Sequence, residues 1–151
     1  MGAFPPNNGL LYSTFRPFHY LALSQTLKIM GYYNNLITTK QITMRFEIYK
    51  DKAGQYRFRL RGDDGKNMLN SEGYLSQTGC KNGIDSVRMN ATTDRRYLRL
   101  VSKNGESYFN LKASNGKIIG TSERYQNRQD MENNIHSLMN NAVKASVADL
   151  T

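Results

Sequence analysis

At 151 residues, with 38% hydrophobic and 22% charged side chains and no Trp, the chain has the composition of a soluble globular protein with one modest core, which argues against wholesale disorder. No apolar run reaches the roughly 18 residues needed to span a bilayer, so no membrane association is expected. A lone Cys80 offers no intramolecular disulfide, which makes a reducing cytoplasm the expected compartment. The net charge of +9 favours weak association with anions such as nucleic acid, and it says nothing about fold.

Residues 1–43 read unlike the rest. They hold Arg16, Lys28 and Lys40 with no acid, and seven aromatics (Phe4, Tyr12, Phe15, Phe18, Tyr20, Tyr32 and Tyr33) without a stable period. This stretch reads as an N-terminal extension, either a disordered tail or a start placed upstream of Met44. An aromatic interaction arm is the functional alternative. Residues 44–151 form the expected single domain, with a first repeat over 46–94 and a second over 95–151.

The division into repeats rests on self-alignment, which comes before local structure. Residues 46–91 align with 97–142 without a gap at a spacing of 51, and 14 of the 46 positions are identical. They include Gly54 with Gly105, Phe58 with Phe109, Leu60 with Leu111, Gly65 with Gly116, Ser71 with Ser122, Glu72 with Glu123, Tyr74 with Tyr125 and Ile84 with Ile135. The chain is an internal duplication.

Each copy predicts three strands and a helix. In the first, Phe46 to Asp51 leads through a turn at Gly54 to Tyr56, Phe58 and Leu60 alternating with Arg57, Arg59 and Arg61, the period of two of a half-buried strand. Asp64 and Gly65, like Asn115 and Gly116, are expected to supply positive φ values for a tight hairpin. Lys66 to Ser71 and Lys117 to Ser122 are the third strands. Cys80, Ile84, Val87 and Ala91, and likewise Met131, Ile135, Leu138 and Ala142, lie at helical offsets along one face, with Ser76 and Asn127 as N-caps. The fold class is α+β: a tandem β-β-β-α-β unit forming one antiparallel sheet with both helices on one face.

The runs FEIYKDKAGQYRFRLRGDDGK, SEGY, GCKNGIDSV and SKNGESYFNLKASNGKIIGTSERY and the terminal VADLT resemble the YegP-like family of small bacterial proteins over Met44 to Thr151. The resemblance implies β-β-β-α-β units joined in one sheet, with the last strand of each unit exchanged onto the other. Arg95 to Val101 would then close the first unit and Ala145 to Asp149 the second. The family brings no established activity.

Few residues suggest chemistry. No zinc, calcium or nucleotide-binding spacing occurs, so no metal, cofactor or catalytic residue is expected and the chain reads as a non-enzyme. His19 lies in the extension, and His136 falls beside the apolar helix stripe as a solvent-facing residue. Cys80 replaces Met131 and reads as a small core residue. Two surfaces remain. A carboxylate beside a phenol, Glu72 with Tyr74 and again Glu123 with Tyr125, could grip a ligand in two symmetric sites, although repetition is also what a strand-to-helix turn would require. Arg57, Arg59 and Arg61, at intervals of about 6 to 7 Å along one strand face, could with Lys112 bind an anion such as single-stranded nucleic acid, aided by stacking on Tyr108. Copy two has Tyr108, Asn110 and Lys112 in the arginine positions, so the fold does not demand arginine there, which leaves either specialisation or, the reading preferred from sequence, an ordinary solvated face. The expected product is a monomeric binding or adaptor module, with weak nonspecific nucleic-acid binding as the alternative and an enzyme site between the repeats as a distant third.

Overall fold

The computed structural model of the chain describes residues 43–151, together with helical backbone at Thr26, Lys28 and Ile29. The expectations for the extension, including its aromatics and His19, lie outside the described residues. The chain divides into two compact units, Met1–Gln41 and Ile42–Thr151.

The second unit follows the duplication. The strands of the first copy are β1 (Arg45–Lys50), β2 (Tyr56–Arg61) and β3 (Asn67–Ser71), followed by α1 (Gln77–Asn90). The second copy repeats them as β4 (Tyr97–Val101), β5 (Ser107–Lys112), β6 (Ile118–Thr121) and α2 (Arg128–Asn141), and β7 (Ser146–Asp149) ends the fold. A short 3-10 turn, Asp94–Arg96, occupies the start of the stretch expected to be extended from Arg95. The strand order is β4-β5-β6-β3-β2-β1-β7, so the two copies meet at β3 and β6.

Of the two outermost strands, only β7 shows the exchange implied by the resemblance. β4, which follows α1, is the first strand of the second copy and pairs with β5 as β1 pairs with β2, whereas the strand that follows α2 crosses back to β1 of the first. This return corrects the all-antiparallel expectation: β7 runs parallel to β1, with Phe46 opposite Val147 and Ile48 opposite Asp149, so the sheet is mixed. The physical reason is the helix between β6 and β7. It carries the chain past β3, β2 and β1 to the far edge, where β7 runs opposite to β6; since β6, β3, β2 and β1 alternate in direction, that is the direction of β1.

A second correction concerns the hairpins. Gly65 and Gly116 have φ of 74° and 83°, but no non-glycine residue has positive φ among the described residues. Asp64 and Asn115 act instead through their side chains, whose oxygens accept the N–H groups of Lys66 and Lys117 at 3.0 and 3.1 Å. These are the Asx turns that short polar side chains favour.

Both helical stripes bury as the spacing predicts. Cys80, Ile84, Val87 and Ala91 join Met131, Ile135, Leu138 and Ala142 in one core with Phe46, Ile48, Phe58, Leu60, Leu69, Phe109 and Leu111. Ser76 and Asn127 cap the helices by accepting the N–H groups of Gly79 and Asp130. An edge-to-face aromatic pair recurs in each copy: Phe46 with Phe58 at 5.7 Å between centroids, and Tyr97 with Phe109 at 5.3 Å. The seam itself is asymmetric. Leu69 has Gly120 as its repeat counterpart, and a Cβ on Gly120 would lie 2.8 Å from Leu69 Cγ, so one leucine fills the space over a glycine where two leucines would collide.

Candidate functional site

Alternation along β2 settles where its arginines lie. Phe58 and Leu60 are fully buried beneath the helices, so Arg57, Arg59 and Arg61 project from the opposite, helix-free face of the sheet. β1 adds Glu47 to that face, opposite Arg59 in the register. Glu47 is only 3% exposed although it lies on no apolar stripe. It is covered by guanidinium groups: its carboxylate accepts from Arg45 Nε at 2.8 Å and from Arg59 Nε at 2.7 Å, and Arg61 stands 3.7 Å away. Burial opposes ionisation of Glu47, and the hydrogen bonds from Arg59 and Arg45 outweigh it, holding the carboxyl below its ordinary range. Three cations around one anion leave this cluster with a formal charge of +2, and the carboxylate fixes how the guanidinium groups are presented.

Arg57 is spoken for differently. Its Nε donates to Asp51 at 2.7 Å and its Nη1 to the Ser71 carbonyl at 3.1 Å, so it ties a turn to the sheet. Lys112 lies on β5, which β6 and β3 separate from β2, a distance of about 14 Å at the usual strand spacing. The four residues expected to bind an anion therefore form no single cluster. What collects instead is Arg45, Arg59 and Arg61 around Glu47, and sequence reasoning missed the carboxylate at their centre. Its signal was an acid on β1 opposite the middle arginine, visible only once strand register is known.

The repeated Glu and Tyr positions also divide. Tyr74 turns under α1, where its ring stacks on Phe58 at 6.3 Å and its phenol lies against Gly83. Tyr125 turns under α2 and accepts a hydrogen bond from Asn134. Burial raises both phenols, Tyr125 up to about 12. Glu72 and Glu123 remain exposed, and among the described residues no hydrogen bond joins either to its tyrosine. Glu123 accepts from Asn67 Nδ2 at 2.7 Å and Asn70 Nδ2 at 2.9 Å, which fastens the second copy to the third strand of the first. The repeated serines have a backbone role: Ser71 and Ser122 hydroxyls accept the N–H groups of Phe58 and Phe109 at 2.8 and 3.0 Å, and donate to the carbonyls of Glu72 and Glu123.

Two aromatics complete the helix-free face. Arg59 lies over the Tyr49 ring at 5.2 Å, and Arg124 lies over Tyr108 at 4.8 Å. Beside Tyr108 is a depression of about 490 Å³ lined in part by Ser102, Lys103, Glu106 and Arg124, and a second of about 360 Å³ lies between Arg45, Arg61 and Ser146. Elsewhere, Cys80 is buried, and burial pushes its thiol up to about 11, the opposite of an activated nucleophile. His136 is exposed on α2. Among the described residues no His, Cys, Asp and Glu group could hold a metal ion, and no helix is long and apolar enough to cross a membrane.

Comparison with known proteins places this geometry among relatives. The model of a domain of unknown function, DUF1508, matches twice, over residues 51–97 and 102–149. The chain is 47% identical over 106 residues to a UPF0339 protein of Acinetobacter baylyi, covering 70% of this chain and 96% of that protein. It is 42% identical over 106 residues to the UPF0339 protein YegP of Escherichia coli, with the same coverage of 70% and 96%. Two solution NMR structures are similar at a TM-score of 0.69: a UPF0339 protein of Shewanella oneidensis, 39% identical over 72% of this chain and 92% of that one, and the E. coli protein yegP, described as of unknown function, 40% identical over 73% and 95%.

Proposed function

Since the chain belongs to the UPF0339 family and carries the DUF1508 unit twice, we propose from its own geometry that it is a small non-catalytic binding module that seats an anionic ligand on the helix-free face of its sheet. The observation that carries this reading is the arrangement of Arg45, Arg59 and Arg61 around the buried Glu47. A buried carboxylate that organises three guanidinium groups lowers the entropic cost of presenting them together to a ligand. Side-chain exposures of 59%, 36% and 33% leave all three within reach of solvent.

Single-stranded nucleic acid is the second reading, favoured by Tyr49 and Tyr108 on the same face, each beneath an arginine. Bases stack on aromatic and guanidinium planes, while the backbone phosphates meet the cations. Both readings are tested by titrating the chain with a twelve-nucleotide oligo-dT and with tripolyphosphate across a salt series. Three phosphate contacts to a single strand correspond to a log–log salt slope of about 2, with dissociation constants near 10⁻⁴ to 10⁻⁶ M. Replacing Arg57, Arg59 and Arg61 with the copy-two residues Tyr, Asn and Lys should weaken binding and flatten the slope. Tripolyphosphate binding without DNA binding would remove the nucleic-acid reading, and no binding of either at about 50 mM salt would remove both.

A further inference from the structure

The duplication leaves one place in the sheet unfilled. β1 and β4 are repeat counterparts, each pairing on its inner side with the second strand of its own copy. On its outer side β1 carries β7, whereas β4 ends the sheet. β7 shows what the empty position is built to hold: an extended strand, parallel to its host, donating Ser146 N–H to the Met44 carbonyl and Leu150 N–H to the Ile48 carbonyl at 3.2 and 2.9 Å. Shifted by the repeat spacing, the same register would set a strand against Arg96 to Arg99.

Backbone direction agrees. Ser102 N–H donates inward to the Glu106 carbonyl, so at a period of two Leu98 and Leu100 also face β5, and Tyr97, Arg99 and Val101 face outward. Tyr97 N–H is bonded to the Asp94 carbonyl, which leaves the N–H groups of Arg99 and Val101 on an edge with no neighbouring strand among the described residues. Apolar side chains flank that edge: Leu98 is 41% exposed and Val101 68%. Charge selects the occupant. Arg99 is already paired with Asp94 and Glu132, which leaves Arg95, Arg96 and Lys103 as the cations of this edge, while β7 and its tail hold Asp149 and no base. A second copy pairing through its own β4 would bring Arg95, Arg96 and Lys103 of both chains to one seam, six cations besides the paired Arg99, which disfavours self-association.

We propose that the outer edge of β4 is a docking site for an extended acidic segment of a partner protein, which adds as an eighth strand parallel to β4 in the way β7 adds to β1. Main-chain hydrogen bonds would supply affinity, and the cations with Leu98 and Val101 would supply selectivity, as in other cases of strand addition. This site is separate from the arginine cluster on β1 and β2, so either proposal can fail alone.

The test is a titration of isotope-labelled full-length chain with a blocked peptide of the sequence ASVADLT, taken from residues 145–151. Three controls accompany it: the same peptide with Asp replaced by Lys, one N-methylated at alternate residues, and the Val101→Pro variant, since proline is tolerated on an edge strand and removes one outward N–H. The expected result is a chemical-shift response centred on Leu98 to Val101 and amide exchange at Arg99 and Val101 slowed about tenfold or more by saturating peptide. The response should weaken with the lysine peptide and with Val101→Pro, and vanish with the N-methylated peptide. The proposal is overturned by no response, by shifts confined to β1 and β7 or to Arg57–Arg61, by indifference to N-methylation, or by sedimentation showing β4 already covered by a second copy. Should Val101→Pro fail to fold, the N-methylated peptide alone decides.

Discussion

Asn134 donates its side-chain amide to the Tyr125 phenol, and at the matching place in the first copy Gly83 makes room for Tyr74. The two copies thus solve one packing problem in opposite ways. Where the tyrosine sits tight against the helix, the helix residue has no side chain; where there is space, an amide fills it and satisfies the buried hydroxyl.

Gly83→Ala should therefore destabilise the fold, even though alanine gains about 1 kcal/mol in helix propensity. The added Cβ would overlap the Tyr74 ring and approach Phe58 Cε1 at 3.1 Å, an overpacking that costs about 1 to 3 kcal/mol. In the second copy, Asn134→Ala should cost a similar amount by leaving the Tyr125 hydroxyl and the Met68 carbonyl without their donor. Chemical denaturation of both variants checks this, and a stabilised Gly83→Ala would show that Tyr74 can swing aside freely.

The shared core makes a prediction about cooperativity. Ile84 and Ile135 come from different copies, yet both are buried in one cluster. Truncating either to Ala should cost about 2 to 5 kcal/mol and shift one common transition. Differential scanning calorimetry would expose the opposite result, two transitions that each respond to only one substitution.

Acid should weaken the fold in a traceable way. Arg99 donates to Glu132 at 2.8 Å, and this hydrogen bond holds the Glu132 carboxyl below its ordinary range against a partial burial that opposes it. A carboxyl lowered on folding contributes stability that is fully present above its unfolded pKa of about 4.3 and is lost as pH falls through the folded value. Stability should thus decline below about pH 5. Glu132→Gln should lower stability at neutral pH and flatten the decline, as urea midpoints taken between about pH 3 and 7 would register. An unchanged slope would assign the acid sensitivity to other carboxyls, such as Glu47.

How far the sequence carried the structure depended on whether a signal was local. Helical stripes such as Ile84 with Val87 and Ala91, and the strand alternation around Phe58, are properties of neighbouring residues, so their spacing revealed them. The direction of β7 was not legible, because a period of two is the same in parallel and antiparallel strands. Glu47 was equally silent: an acid at an outward position reads as solvated until Arg45, Arg59 and Arg61 are seen to close over it. Asp64 and Asn115 marked their turns correctly but by side-chain acceptance rather than by backbone conformation. Glu72 and Tyr74 do not converge, because adjacency in sequence at a strand end sent one side chain beneath a helix and left the other exposed.

The pairing of Phe46 with Val147 also bears on how the chain is made. The strand that begins the described sheet finds its outer neighbour in the strand that ends it, about a hundred residues later in the order of synthesis. Until β7 has been made, a nascent chain can form hairpins within each copy, but β1 has a bare outer edge, and closing it joins segments about a hundred residues apart, a contact that is slow to form. Synthesis of β7 is then the step that completes this sheet, and chains stalled or clipped shortly before Ser146 would carry an open flank, exposed to strand-mediated aggregation.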